Sequence, residues 1–88
     1  MKLSETVGLM NSSDYTDRFK AEYYQLKNRV CGLDNMLNKW DRGELTFNPT
    51  CPRNTYNLQI GTMRNYMAIL EMRAIMEGIE LDTSLEGE

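Results

Sequence analysis

Arg18, Lys20, Lys27 and Arg29 are gathered in one short stretch that also holds Tyr15, Tyr23 and Tyr24. Guanidinium forks grip phosphate through two parallel hydrogen bonds, and tyrosine faces stack on nucleobases. The set therefore suits a phosphate-bearing aromatic ligand. It also suits a plain solvated helix face braced by i,i+4 pairs such as Asp14 with Arg18. Catalysis finds less support. The chain has no histidine, so the commonest general base is missing. No GxSxG, HExxH, Walker or GxGxxG pattern occurs. Asp34, Asp41 and Glu44 fit helix faces that carry charge for solubility. The expectation is a protein that binds without reacting, and with no cofactor.

Metal chemistry is equally thin. Zinc would need cysteine and carboxylate ligands alone, and no CxxC is present. Cys31 and Cys51 are the two cysteines. Spacing leaves a disulfide between them open, while a cytoplasmic setting favours two free thiols.

The elements that carry these residues follow from apolar periodicity. Phe19, Tyr23, Leu26, Val30, Leu33, Leu37 and Trp40 advance by alternating steps of four and three. Tyr56, Ile60, Met63, Met67, Leu70 and Ala74 repeat the rhythm. A mean period near 3.5 keeps such side chains on one helical stripe. The first helix is expected from about Asp14 to about Asp41, with Ser13 as cap and Asp14 and Asp17 complementing the dipole. Gly32 interrupts it at about 1 kcal/mol relative to alanine, marking a close approach or a tolerated weak point. Gly43 suits the left-handed position after that helix. Leu45 and Phe47 are expected to tuck under the hairpin end. The second helix should start near Asn48 or Thr50, with Pro49 or Pro52 in its first turn, and run to about Gly78.

The fold expected is therefore all-α, an antiparallel two-helix hairpin that assembles into an oligomeric helical bundle. Residues 1–13 form an N-terminal arm, 14–79 the hairpin and 80–88 an acidic tail. The arm makes a short helical turn or stays mobile. Assembly is expected because Ile69, Met72, Ile75, Met76 and Ile79 give the second helix another apolar face. Burial of one aliphatic side chain contributes roughly 1.5 to 3 kcal/mol. Leu3, Val7, Leu9 and Met10 could cover part of that face, but an arm this short cannot cover all of it, so contact with other subunits is the favoured reading. Methionines there are adaptable packing material.

Size and charge narrow the function classes. Eighty-eight residues make one small domain without room for a separate catalytic one. Five acids fall in the last twelve residues, whereas nine bases face seven acids between Asp14 and Arg73. Small anions fit such a hairpin; DNA does not. No run approaches the ~18 apolar residues of a membrane span. The first ten residues lack a signal peptide's apolar run, so a cytoplasmic setting is expected.

Two stretches carry a resemblance. RFKAEYYQLKNRVCGLDNMLNKW is similar to the first helix, and NLQIGTMRNYMAILEMRA to the second helix, of the small phage hairpin proteins that act as anti-CBASS cyclic-oligonucleotide sponges. A related hairpin occurs in anti-Thoeris sponges. The second-helix pattern falls here on Gln59, Met63, Tyr66, Leu70 and Arg73. The resemblance covers about residues 15 to 79. It implies a compact homo-oligomer, typically a hexamer, that sequesters cyclic nucleotide messengers in the cytoplasm of the infected bacterial host without cleaving them. It implies a cyclic dinucleotide pocket between subunits at Tyr15 and Arg29, with Arg18 and Lys27 nearby. It also implies a second pocket, for cyclic trinucleotides in some members, at Arg73, with Gln59 from the same motif. This chain departs from the pattern where arginine replaces the usual first-helix lysine. A cyclic ADP-ribose isomer is an alternative ligand. The competing class is a coiled-coil adaptor or inhibitor that grips a host protein through the methionine-rich face of the second helix.

Overall fold

The computed structural model describes residues 1–82. It is all-helical, with a 3-10 turn over Leu3–Glu5, α1 over Thr6–Met10, α2 over Tyr15–Asp41 and α3 over Arg53–Glu77. Helices α2 and α3 fold back on each other as the hairpin expected from the two stripes.

Helix α2 begins one residue later than the Ser13 cap predicted. Asp14 is extended and its carboxylate accepts the Thr16 N–H at 2.9 Å. The Ser12 hydroxyl accepts the Asp14 N–H at 3.1 Å and donates to Asp17 at 2.8 Å. Carboxylate and hydroxyl thus satisfy the chain entering the helix, and Ser13 is left out of the cap. The predicted Asp14–Arg18 pair does not form either, because Arg18 donates back to the Ser12 carbonyl at 2.9 Å.

Helix α3 has Pro52 at its cap position, later than Asn48 or Thr50. Pro52 is extended at ψ 152°, and its carbonyl accepts the Thr55 N–H at 3.0 Å. Both long helices stop at a left-handed glycine, Gly43 at φ 71° and Gly78 at φ 70°. Each stop is closed by a backbone bond spanning five residues, Glu44 N–H to Lys39 O and Ile79 N–H to Ala74 O, both 2.8 Å.

The core is the predicted stripe. Phe19, Tyr23, Leu26, Val30 and Leu37 of α2 are buried against Ile60, Leu70 and Ala74 of α3. At the hairpin turn Trp40 and Tyr56 meet edge to face at 5.9 Å. Arg53 lies 5.2 Å from the Trp40 ring and clamps Asp41 through two hydrogen bonds, 2.6 and 3.3 Å. That hydrogen bond holds the Asp41 carboxyl below the usual carboxylate range. Phe47 does not tuck under this end; it is 54% exposed. Cys31 and Cys51 are free thiols.

The N-terminal arm is folded, and it chooses α2. Thr6 is fully buried, donates to Leu3 O at 2.6 Å and accepts from Gln25 at 3.0 Å. Asn28 donates to the Met1 carbonyl at 2.7 Å. Neither the 3-10 turn nor α1 approaches α3 along the backbone, and the second α3 face stays uncovered. Ile69, Met72, Ile75 and Met76 are 49% to 82% exposed. The first residues of the expected tail also return to α2. Leu81 packs against the core and the Asp82 N–H reaches Tyr24 Oη at 3.0 Å; the remainder of the tail, 83–88, lies outside the described residues.

About a third of the way along the helix pair from its open end, the buried Tyr23 hydroxyl donates to Glu71 Oε2 at 2.6 Å. Burial first, then the bond to and charge of Glu71, hold the Tyr23 phenol above its ordinary range. Its contribution to stability is complete below the unfolded value of about 10 and is lost as pH rises through the raised folded value. Tyr23→Phe should therefore lower stability by about 1 to 3 kcal/mol in urea unfolding at neutral pH. The variant's deficit should shrink as pH climbs above about 10; a constant deficit would show that the hydroxyl is not the cause.

Candidate functional site

The antiparallel hairpin sets the first turn of α2 beside the last turn of α3. Tyr15 and Arg73, assigned by the resemblance to different pockets, meet there. Tyr15 Oη donates to Glu77 Oε1 at 2.7 Å and accepts from Arg73 Nη2 at 2.9 Å. Arg73 Nε donates to Glu77 Oε2 at 3.2 Å, an i,i+4 pair on α3. The guanidinium carbon stands 5.1 Å from the centre of the Phe19 ring, a cation–π arrangement on a buried aromatic. Tyr15 and Phe19 lie one turn apart on α2, their ring centres separated by 6.2 Å.

The electrostatics are those of a closed triangle. The Glu77 hydrogen bond raises the Tyr15 phenol above its ordinary value, with smaller opposing effects from Arg73. In return, the Tyr15 bond and then Arg73 hold the Glu77 carboxyl below its ordinary value. Glu77, bonding through its carboxylate, pushes the Arg73 guanidinium further into the charged range. Arg73 is thus fixed in place by a tyrosine, a carboxylate and a ring. Among the described residues its Nη1 makes no hydrogen bond, which leaves donors for an anion beside the half-exposed Tyr15 ring. The arrangement can bind a phosphate and stack a flat ring.

The other candidates are spread out. Arg18 and Arg29 are exposed on α2, and Lys27 is half-buried between them. Tyr15 and Arg29 are about 21 Å apart along α2 at about 1.5 Å per residue, so one copy of the chain cannot bring both to one ligand. Gln59 lies on the exposed side of α3, where it lines an open groove of about 420 Å³ with Thr55, Leu58, Thr62, Met63 and Tyr66. It too is about 21 Å along its helix from Arg73. The geometry joins Tyr15 to Arg73 and separates each from its expected pocket mate. Glu77 and Phe19 were not named as site residues by sequence reasoning. Glu77 figures there only among the five acids of the last twelve residues, and Phe19 only in the apolar stripe. The available signal was the hairpin itself, which obliges the start of α2 to face the end of α3.

Among the described residues no group of three histidine, cysteine or carboxylate side chains could hold a metal ion, and no helix is long and apolar enough to cross a membrane.

Because Tyr15 is the largest cause of the depressed Glu77 carboxyl, Tyr15→Phe should move the Glu77 titration back up toward its ordinary value. A carbon-detected NMR titration reads this directly. Glu77's contribution to stability is present above the ordinary carboxylate range and fades as pH falls through the depressed value. The variant should therefore lose part of that acid-side dependence; an unchanged Glu77 midpoint would contradict the triangle.

The comparisons with known proteins are sparse. No curated protein and no solved structure matches the chain. The family model described as Sequestin matches residues 13–76, which takes in all of α2 and nearly all of α3. That description points to a binding protein that sequesters a partner, in keeping with the resemblance to phage sponges noted from α2 and α3. With nearly three quarters of its length covered, the chain belongs to the Sequestin family.

Proposed function

We propose that this protein is a non-catalytic sponge for cyclic nucleotide messengers of bacterial antiviral immunity, acting in the cytoplasm of the infected host cell. Cyclic dinucleotides are the first ligand class and cyclic trinucleotides the second. The observation that carries the reading is the anchored Arg73 guanidinium beside an open Tyr15 ring. Such a pair offers charge-assisted donors to a phosphate and a flat partner to a base. Membership of a family named for sequestration supports the same reading. So do Arg18 and Arg29, eleven residues apart and hence on one face of α2, which a second subunit can bring against the Tyr15 of the first; Lys27 lies on the opposite face. Assembly into a homo-oligomer, taken as a hexamer, supplies that second subunit.

The rival reading, an adaptor or inhibitor that grips a host protein, rests on its own observation: the exposed methionines and isoleucines of α3. Calorimetry with a panel of cyclic dinucleotides, cyclic trinucleotides and cyclic ADP-ribose isomers separates the two. The sponge reading expects tight binding of at least one member and recovery of that ligand intact after heat release. Silence across the panel refutes it, and recovery of a cleaved product refutes the non-catalytic part.

Side-chain roles divide in the same assay. Arg29→Ala should weaken dinucleotide binding by about tenfold to a hundredfold, the value of one charge-assisted contact, with assembly mass unchanged by light scattering. An assembled Arg29→Ala protein that binds like the parent would remove Arg29 from the site.

A further inference from the structure

Helix α3 carries an apolar inner stripe and an uncharged outer one. The inner one, running through Ile60, Met63, Met67, Leu70 and Ala74, packs on α2. The outer one advances by the same alternating steps through Leu58, Thr62, Asn65, Ile69, Met72 and Met76, all exposed. Gln59, Tyr66 and Arg73 flank it on one side; Gly61, Ala68 and Ile75 flank it on the other. In all these positions Arg73 is the sole charged residue. A helix face left in water ordinarily carries its charges there, whereas here Arg64, Glu71 and Glu77 sit elsewhere on α3, tied to Asp34, Tyr23 and Tyr15.

The two halves of the outer stripe differ in shape. The first half carries the smaller side chains Gly61, Thr62 and Asn65, beside the groove of about 420 Å³ over Leu58, Gln59 and Thr62. The second half carries the larger Ile69, Met72, Ile75 and Met76 and is the raised one by side-chain size, the first the hollow one; exposure does not separate the two, since Leu58 is 73% exposed and Met76 77%. Gly61 lies in the hollow half with nothing within 4 Å of where a Cβ would stand. Nothing in its own chain therefore requires a glycine there, at a helix cost of about 1 kcal/mol relative to alanine.

We infer that α3 pairs with α3 of a second copy, antiparallel about a two-fold axis at the level of Met67. An uncharged face is matched by another uncharged face, and the raised half of each copy fills the hollow half of the other. In this register Leu58 meets the partner's Met76, Thr62 meets the partner's Met72 and Asn65 meets the partner's Ile69. Gly61 receives the partner's Ile75. A parallel pair would set hollow against hollow and raised against raised, and would align the two helix dipoles. Asn65 is the one polar side chain with a carboxamide in the stripe, the kind of position that fixes register in helix pairs.

The pairing has a consequence for the site. Gln59 and Arg73 stand far apart on one helix, yet the antiparallel register puts Gln59 of each copy beside the partner's Arg73. Two equivalent clefts result, each made from Tyr15 and Arg73 of one copy and Gln59 of the other. A cyclic nucleotide would take its phosphate contact from Arg73 and a base-edge contact from the carboxamide. Occupancy by that ligand rests on the proposed function; the pairing of the helices does not.

Cross-linking tests the pairing on the full chain, with Cys31 and Cys51 replaced by serine. Thr62→Cys and Met72→Cys proteins, co-expressed and oxidised, should give a disulfide-linked dimer that neither forms alone. Self-linking of Thr62→Cys would make the pair parallel and overturn the inference, as would the absence of any link. Ile75→Glu should reduce the assembly mass while keeping the helical circular dichroism; an unchanged mass also overturns it. The cleft is tested with cyclic tri-AMP as probe. Gln59→Ala and Arg73→Ala alone should each leave no site of wild-type affinity. Co-expressed, they should recover about a quarter of the wild-type sites, since half of the pairs are mixed and each mixed pair rebuilds one of its two clefts. No recovery on co-expression refutes the composite cleft. A wild-type protein silent to the probe refutes the ligand, and the cross-links still decide the pairing.

Discussion

Helix α2 is the one element on which all the others rest. The arm packs on it, α3 packs on it, and neither the 3-10 turn nor α1 approaches α3 along the backbone. Its buried residues must therefore serve two neighbours on different sides. Phe19, Tyr23, Leu26, Val30 and Leu37 face α3, while Gln25 and Asn28 hold the arm by hydrogen bonds. The sharing explains why α2 can be almost fully partnered inside one chain. Helix α3, with a single neighbour, is not, and its spare apolar surface follows from that imbalance.

Polar ties sit where packing alone would allow sliding. Two aliphatic stripes can slip past one another by a turn at modest cost. A buried phenol that must find a particular carboxylate cannot, because the displaced partners would be left without hydrogen bonds at roughly 1 to 3 kcal/mol each. Tyr23 with Glu71 is that buried tie, about a third of the way from the open end; the exposed ties of Tyr15 with Glu77 at the open end and Arg53 with Asp41 at the turn agree with its register but, being replaceable by water, hold it less firmly. The same register that holds the helices also delivers Arg73 to Phe19. Structure and candidate site draw on one set of contacts, so the site is rigid as far as the helices are.

The long helices were legible in the sequence because their signals are local and repeated. Alternating steps of four and three residues place the stripe, and Gly43 and Gly78 close the ends. Caps were read less well: Ser13, Asn48 and Thr50 are good cap residues by type, yet the choice among neighbouring candidates is made by where the chain arrives. Contacts of large sequence separation were the least legible. Nothing near Tyr24 announces that Asp82 will return to it, and nothing near Thr6 announces that Gln25 will hold it. The Tyr15–Arg73–Glu77 triangle is of this kind. Motif reading placed its first two members in separate pockets, because a motif records which residues matter and not which of them are neighbours in space.

Met1 and Asp82 are both caught by α2, through Asn28 and Tyr24. Those two anchors are four residues apart and so lie on the same face, separated by about 6 Å along the axis. The chain from Met1 to Asp82 is accordingly almost a closed ring with its seam on one turn of one helix. Topology of this sort is indifferent to where the ring is cut. A short linker across the seam, with new ends opened in the exposed stretch after Gly43, would preserve each helix and each helix contact. The order in which the helices are encoded is then a matter of history, and only their spatial arrangement carries the physics.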